Sequence, residues 1–403
     1  MTGTTVAQAI PILISPLLTR IYSPEDFGQL ALFMSLASIF GSIVNGRYEL
    51  AIMLPRKDED AMNIFVLGLV ISSFISIMLL ILIVLFHYKI VLLLNNNQIG
   101  NYLYFIPVSV FLIGLFNSLS YYNSRKKYFK DIAKATIIKS LILSSIQIVI
   151  GFFYNGALGL ISGEVISRLS ANGKLFLNMT KEKKIFHNIS KIKIYALMKR
   201  YKNLPRFSVF ATLANTSTFN IVNIYISMFF SLSLLGYYSL VQRVLGTPMS
   251  LIGTAISNVF FREATSEKQR TGVAIHTFLS TIKKSILISL PLFIILFFTI
   301  ETIFEIVFGE EWRVAGEYAK ILIPMFFIRF VIVTVSLLET VMERQKVFML
   351  FNIVLFLTTF MCIVYASFFH IEFKMFLQMI SMSIGSTYFG YGIIMYLMAK
   401  GKI

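Results

Sequence analysis

Arg47, Glu49, Lys139, Glu164, Arg168, Arg243, Arg329 and Glu339 are ionisable residues set inside long apolar runs of a 403-residue chain. Burying such a group in hydrocarbon costs at least ~2.5–3.5 kcal/mol on insertion scales. Each therefore marks a binding site, an ion relay or an internal pair. Glu164 and Arg168 stand at i, i+4 and can neutralise each other on one helical face. Arg243 and Arg329 have no acidic residue at helical spacing, so they are the first candidates for holding an anion. Arg47 and Glu49 are two apart, and in a continuous helix they would not face each other. Among the intramembrane acids, Glu49 and Glu339 are the candidates for exchanging H⁺ or Na⁺, since Glu164 is occupied by Arg168.

A second chemistry is neutral hydrogen bonding. Thr212, Thr216, Asn220 and Asn223 recur at i, i+4, i+8 and i+11, one face of a helix, with Asn215 and Thr218 beside it. Asn215, Thr216, Asn220 and Asn223 are candidate substrate ligands; the alternative is that the stripe binds helices together. Prolines 11, 16, 107, 248, 291 and 324 fall inside apolar runs, where each removes a backbone bond and favours a kink.

Catalytic sets are missing from the pattern. His87, His187, His276 and His370 are scattered, and Cys362 is the single cysteine. That excludes an intrachain disulfide and a Cys/His metal cluster. No glycine loop for phosphate is present. The chain is expected to be neither an enzyme nor a cofactor or metal protein. Asp58-Glu59-Asp60 reads as a helix N-terminus, with Asp58 accepting free amides.

The elements that must carry these groups are membrane helices. Hydrophobic residues make up 57% of the chain and charged residues 14%, against ~25% charged in soluble domains. A crossing needs ~20 apolar residues. Twelve spans are expected, near 4–21, 27–50, 61–86, 102–122, 132–154, 156–178, 205–230, 234–260, 275–300, 317–340, 345–369 and 374–398. Their continuous apolar character excludes barrel strands. No secretory signal peptide precedes them, and the missing basic lead before span 1 points to a start upstream of Met1.

The loops after spans 2, 4, 6, 8 and 10, with the tail, hold 20 Lys and Arg; the other loops hold two, Lys89 and Arg313. The positive-inside rule places the basic set, and so both termini, in the cytoplasm. It also accounts for the net charge of +17 without nucleic acid. The hydrophilic stretch 179–204 divides the chain into an N-terminal six-helix bundle, 1–178, and a C-terminal one, 205–403. An even number of spans per half permits a parallel repeat. Gly28-Gln29-Leu30-Ala31-Leu32 at span 2 and Gly236-Tyr237-Tyr238-Ser239-Leu240 at span 8 carry a trace of it.

Three stretches carry a resemblance: Leu18-Thr19-Arg20-Ile21-Tyr22-Ser23-Pro24-Glu25-Asp26-Phe27-Gly28; Arg47-Tyr48-Glu49-Leu50-Ala51-Ile52-Met53-Leu54-Pro55; and Gly236–Gly253, from Gly236-Tyr237-Tyr238-Ser239-Leu240-Val241-Gln242-Arg243 onward. The chain resembles the bacterial polysaccharide-export flippases of the O-antigen translocase type, in the multidrug/oligosaccharidyl-lipid/polysaccharide exporter superfamily. The resemblance implies an all-α, V-shaped pair of six-helix bundles working by alternating access. It implies a flippase in the bacterial cytoplasmic membrane whose substrate is an undecaprenyl-diphosphate-linked oligosaccharide for lipopolysaccharide O-antigen or capsule. A polysaccharide polymerase and a chain-length regulator are the expected protein partners. Arg47, Arg243 and Arg329 would then meet the diphosphate, and the Asn/Thr face of span 7 the sugar. A multidrug antiporter of the same superfamily is the alternative, disfavoured by a basic interior. A membrane polymerase or ligase is disfavoured by external loops that lack an acid/base set.

Overall fold

The computed structural model describes residues 2–180 and 188–402, and every regular element among them is helical. In chain order these are α1 (Thr2–Ile21), α2 (Pro24–Gly41), a 3₁₀ turn (Tyr48–Met53), α3 (Asp58–Leu93), α4 (Gly100–Leu103), α5 (Phe105–Arg125), α6 (Phe129–Phe153), α7 (Leu158–Thr180) and α8 (Lys191–Arg200). There follow α9 (Val209–Phe229), α10 (Leu232–Val241), α11 (Thr247–Thr271), α12 (Ile275–Phe308), α13 (Arg313–Val333), α14 (Leu338–Val341), α15 (Gln345–Phe369) and α16 (Phe373–Ala399). Each of the twelve expected spans holds a helix, two of them interrupted as described below. Among the described residues, seven helical stretches are long and apolar enough to cross a membrane: α3, α4–α5, α6, α10–α11, Glu310–Val341, α12 and α15. Of the other five, α1 is apolar but shorter over its described stretch, Thr5–Ile21, and α2, α7, α9 and α16 are less apolar; α7 for example carries Glu164, Arg168 and Lys174.

The polarity of these helices is inverted relative to a soluble protein. On α3, Ser72 is fully buried while Phe74 and Leu85 are about two-thirds exposed. Hydrocarbon solvates large apolar side chains, so small and polar ones are left for the helix contacts.

By packing, the chain forms two compact units, residues 1–236 and 237–403. This partition is not the topological one drawn at 179–204. Residues 181–187 of that basic stretch lie outside the described residues, but its later part folds as α8. Leu197 of α8 is buried in the unit 1 core with Phe65 and Tyr122. Asn63 on α3 holds the approach to α8 at both ends of its amide: Oδ1 accepts Ser190 N at 2.9 Å and Nδ2 donates to Asn188 O at 3.1 Å.

Three expectations need correction. Span 2 does not run to residue 50. α2 ends at Gly41, and a turn leads to left-handed Gly46 (φ +58°) and Arg47 (φ +62°). Asn45 fixes that turn, its Nδ2 lying 2.9 Å from Ser118 Oγ and 3.1 Å from Gly114 O. Span 10 is likewise interrupted: α13 stops at Val333 and α14 resumes at Leu338. Asp58 is not an amide cap. Lys57 holds the cap position of α3, and Asp58 instead pairs with Arg125 and Lys126, each at 2.8 Å. Two strong cations outcompete partial charges on amides.

The turn before Pro248 is widened. The proline ring excludes the carbonyl four residues back. The turn before it is a π-helix, Gln242–Gly246, in which Thr247 N bonds Gln242 O. Within unit 1, the glycines of the repeat trace approach each other's helices reciprocally. A Cβ on Gly28 would run into Leu232 O, and a Cβ on Gly236 into Pro24 O. Each glycine thus meets the carbonyl four residues before its counterpart, the relation a two-fold arrangement of α2 and the start of α10 would produce.

Candidate functional site

In unit 1 the structure turns the Arg47–Glu49 spacing into a contact. Left-handed Arg47 precedes the 3₁₀ turn, which brings its Nη1 to 3.1 Å from Glu49 Oε1. The Glu49 side chain is 3% exposed and that of Arg47 is 24% exposed. Arg47 Nε and Glu49 Oε2 are buried with no hydrogen-bond partner among the described residues. Half of each fork is thus spent and half is unspent. Buried polar atoms are rarely left so.

A basic-loop residue holds this turn. Arg125 Nη1 donates to Ile52 O (3.2 Å) and Pro55 O (2.7 Å), and its Nε to Asp58. Lys126, by hydrogen bonding, and then Arg125 keep the Asp58 carboxyl below the usual carboxylate range despite partial burial. In the sequence Arg125 counts only as a topology charge. Its partners are carbonyls 70 or so residues away, which leave no local signal.

A second cluster in unit 1 joins spans 5 and 6. Arg168 Nη2 lies 3.1 Å from Glu164 Oε2, as the i, i+4 spacing predicts. Lys139 is an electrostatic neighbour of both. One carboxylate therefore serves two cations, and Arg168 Nε is buried without a hydrogen-bond partner among the described residues. Lys139 stands out in the sequence as a charge in an apolar run, but only the packing of α6 on α7 associates it with this pair.

The span 7 stripe is on α9. Asn223 Nδ2 donates to Ser35 Oγ of α2 at 2.8 Å, and Asn220 Nδ2 to Thr216 O at 2.7 Å. Thr216 is half-buried and Asn215 is exposed. At Asn223 the stripe joins helices.

In unit 2, Arg243 lies in the π turn and Arg329 on α13; both are half-buried. Tyr238 connects their neighbourhoods. Its hydroxyl accepts from Gln242 Nε2 at 2.8 Å and lies within electrostatic reach of Arg329. Phe326 packs beside Gly246 in the same turn. π-bulges of this kind are frequent at functional sites. Glu339, on α14, is 5% exposed and accepts from the Tyr391 hydroxyl at 3.3 Å. Tyr391 is stacked on Phe351 at 3.9 Å. No ion pair of Glu339 occurs among the described residues. Arg47 and Glu49 are thus brought together, Arg243 and Arg329 share one unit, and Glu339 stands apart in an aromatic setting.

Comparison with known proteins adds the following. The profile of a family described as polysaccharide biosynthesis protein matches residues 17–317. No curated protein matches the sequence. Among solved structures, the chain is similar to the lipid II flippase MurJ in an inward closed conformation, with TM-score 0.75 and 14% identity over 99% of this chain and 87% of that one. It is also similar to an inward-facing multidrug resistance MATE family transporter of the MOP superfamily, with TM-score 0.70 and 12% identity over 100% and 94%. A MOP superfamily transporter from Pyrococcus furiosus matches with TM-score 0.52 and 14% identity over 99% and 93%. The fold is that of these polytopic transporters.

Proposed function

The chain belongs to the polysaccharide biosynthesis protein family, and on that premise we propose that it is a flippase for an undecaprenyl-diphosphate-linked oligosaccharide. It works in the bacterial cytoplasmic membrane, in O-antigen or capsule synthesis, with both termini and the 179–204 segment cytoplasmic. The observation that carries this reading is the surplus of interior cations. Of the eight ionisable residues set inside the apolar runs, five are cations, Arg47, Lys139, Arg168, Arg243 and Arg329, and three are carboxylates, Glu49, Glu164 and Glu339. A cationic interior suits a diphosphate and repels organic cations, which disfavours the multidrug alternative.

In this reading Arg47, Arg243 and Arg329 take the diphosphate through charge-assisted forks. Asn215, Thr216 and Asn220 hydrogen-bond the sugar, while Asn223 ties α9 to α2. The two six-helix halves, 1–178 and 205–403, alternate access about that lining. A negative interior pushes an anion outward by ~2.3 kcal/mol per charge per 100 mV. Glu49 and Glu339 are the groups through which a cation is exchanged. A polymerase and a chain-length regulator consume the product on the far side.

A deletion strain tests the reading. Lipid-linked repeat units should accumulate on the cytoplasmic side, and surface polysaccharide should disappear. Normal surface polysaccharide with no accumulation contradicts it.

A further inference from the structure

Away from the residues above, α11 and α12 of unit 2 line an open hollow of about 520 Å³ whose lining includes Arg262, Glu263, Ser266, Glu267, Arg270 and His276. Its polar wall is two stripes of one helix. Arg262, Ser266 and Arg270 recur at i, i+4 and i+8; Glu263 and Glu267 follow one residue behind.

The wall's groups are not equally available. Glu267 is committed to the start of α12, where its oxygens accept His276 N at 3.0 Å and Thr277 N at 2.7 Å. Burial would raise its carboxyl, but these bonds outweigh burial and hold it below the usual range, so it stays ionised there. Arg270 spends Nε and one Nη2 bond on Ser266, keeping the rest of its fork. Arg262 and Glu263 are exposed, and neither takes part in an ion pair among the described residues. The cavity therefore offers two guanidinium groups and one uncommitted carboxylate side by side.

A second cavity, of about 260 Å³, begins at the same Glu263 and continues along α11 and α12. Its walls are Ile252, Ile256, Val259 and Ile288, with Lys284 beside them. Ile252, Val259 and Ile288 are more than half exposed, so the groove is open along its apolar side. It follows the expected spans 8 and 9, and the polar cavity lies where they leave the hydrocarbon. A headgroup-sized polar hollow on top of an apolar groove complements an amphiphile. Basic pockets between membrane helices are known homes for lipid headgroups.

We propose that these joined hollows seat one aminophospholipid, with its phosphate on Arg262 and Arg270, its ammonium on Glu263, and an acyl chain along Ile252, Ile256, Val259 and Ile288. The headgroup's two charges match the two kinds of uncommitted group. A glycerol headgroup brings no cation to Glu263. A choline headgroup has no N–H to donate to it. The lipid ties α11 to α12 by bridging them, and the inference does not depend on which substrate is carried.

The test is native mass spectrometry of the purified full chain, delipidated and titrated with phosphatidylethanolamine, phosphatidylglycerol or phosphatidylcholine of identical acyl chains. One phosphatidylethanolamine should be retained at about tenfold lower concentration than either competitor, a difference of ~1.4 kcal/mol. The double variant Arg262→Gln/Arg270→Gln should lose this retention. Glu263→Gln should keep phospholipid binding but bring phosphatidylethanolamine and phosphatidylglycerol level. Unchanged helical circular dichroism establishes that the variants are folded. The wild-type competition needs no variant and decides by itself if one misfolds. Absence of a headgroup preference overturns the proposal, as does a preference that survives in the folded double variant. Tighter retention of undecaprenyl phosphate than of phosphatidylethanolamine also overturns it.

Discussion

Arg47 Nη1 lies 3.1 Å from Glu49 Oε1 although the two residues are only two apart in sequence. The contact exists because the chain leaves α2 at Gly41 and passes through a left-handed backbone at Gly46 and Arg47. The pair is internal to its turn, and half of each fork, Arg47 Nε and Glu49 Oε2, is left over.

Breaking that pair from one side leaves the 3%-exposed Glu49 carboxylate without its cation. Arg47→Ala should therefore lower stability by about 3 kcal/mol, at the low end of the range for a broken buried pair because Arg47 is partly exposed. The double variant Arg47→Ala/Glu49→Gln should recover most of the loss. Thermal unfolding midpoints in detergent measure both. Equal midpoints for the single and double variants would show that the pair is not what holds Glu49.

The reciprocal glycines give a steric prediction. A methyl group at Gly28 or Gly236 meets backbone rather than a movable side chain. Gly28→Ala and Gly236→Ala should each cost ~1–3 kcal/mol as overpacking. Gly173→Ala, inside α7 where a Cβ meets nothing within 4 Å, is the control and should keep or slightly raise the unfolding midpoint. Near-wild-type midpoints for both crossing variants would contradict the close approach.

Much of this architecture is legible in the sequence. Apolar runs separated by short loops give all twelve helices, and the i, i+4 spacing of Glu164 and Arg168 gives their ion pair. What is hidden is wherever a helix stops early. Span 2 is apolar through Val44 and again from Leu50, so hydropathy carries on across a turn that Asn45 and a positive φ at Gly46 create. The same holds at Thr334–Leu337, where a break among apolar residues moves Glu339 onto its own short helix. Lys139 with Glu164, Arg125 with Pro55 and Asn223 with Ser35 are long-range contacts, invisible to spacing because tertiary packing alone makes them.

Orientation can be read by chemistry. With Cys362 removed, single cysteines at Asn97 and Lys191 should label on opposite faces with an impermeant thiol reagent, Asn97 from outside intact cells. Both positions are exposed, whereas neighbouring Asn96 is 7% exposed and would be a poor reporter. Labelling of Lys191→Cys in intact cells would reverse the orientation derived from the basic loops.

Coupling should depend on an interior carboxylate. Glu339 is held by one tyrosine hydroxyl and Glu49 by half of one guanidinium. In proteoliposomes, substrate-dependent H⁺ or Na⁺ flux should disappear in Glu339→Gln or in Glu49→Gln. Unchanged flux in both variants would leave the membrane potential as the driving force.

The most direct test of the account is translocation by the purified chain in proteoliposomes loaded with undecaprenyl-diphosphate-linked oligosaccharide. The account predicts that the sugar becomes accessible on the far side. It also predicts that Arg243→Ala and Arg329→Ala each slow this at least about tenfold, a loss of ~1.4 kcal/mol in binding a charged group, while Arg→Lys restores it in part because a point charge replaces a planar fork. Wild-type rates in both alanine variants, or no translocation by the wild-type chain, would contradict it.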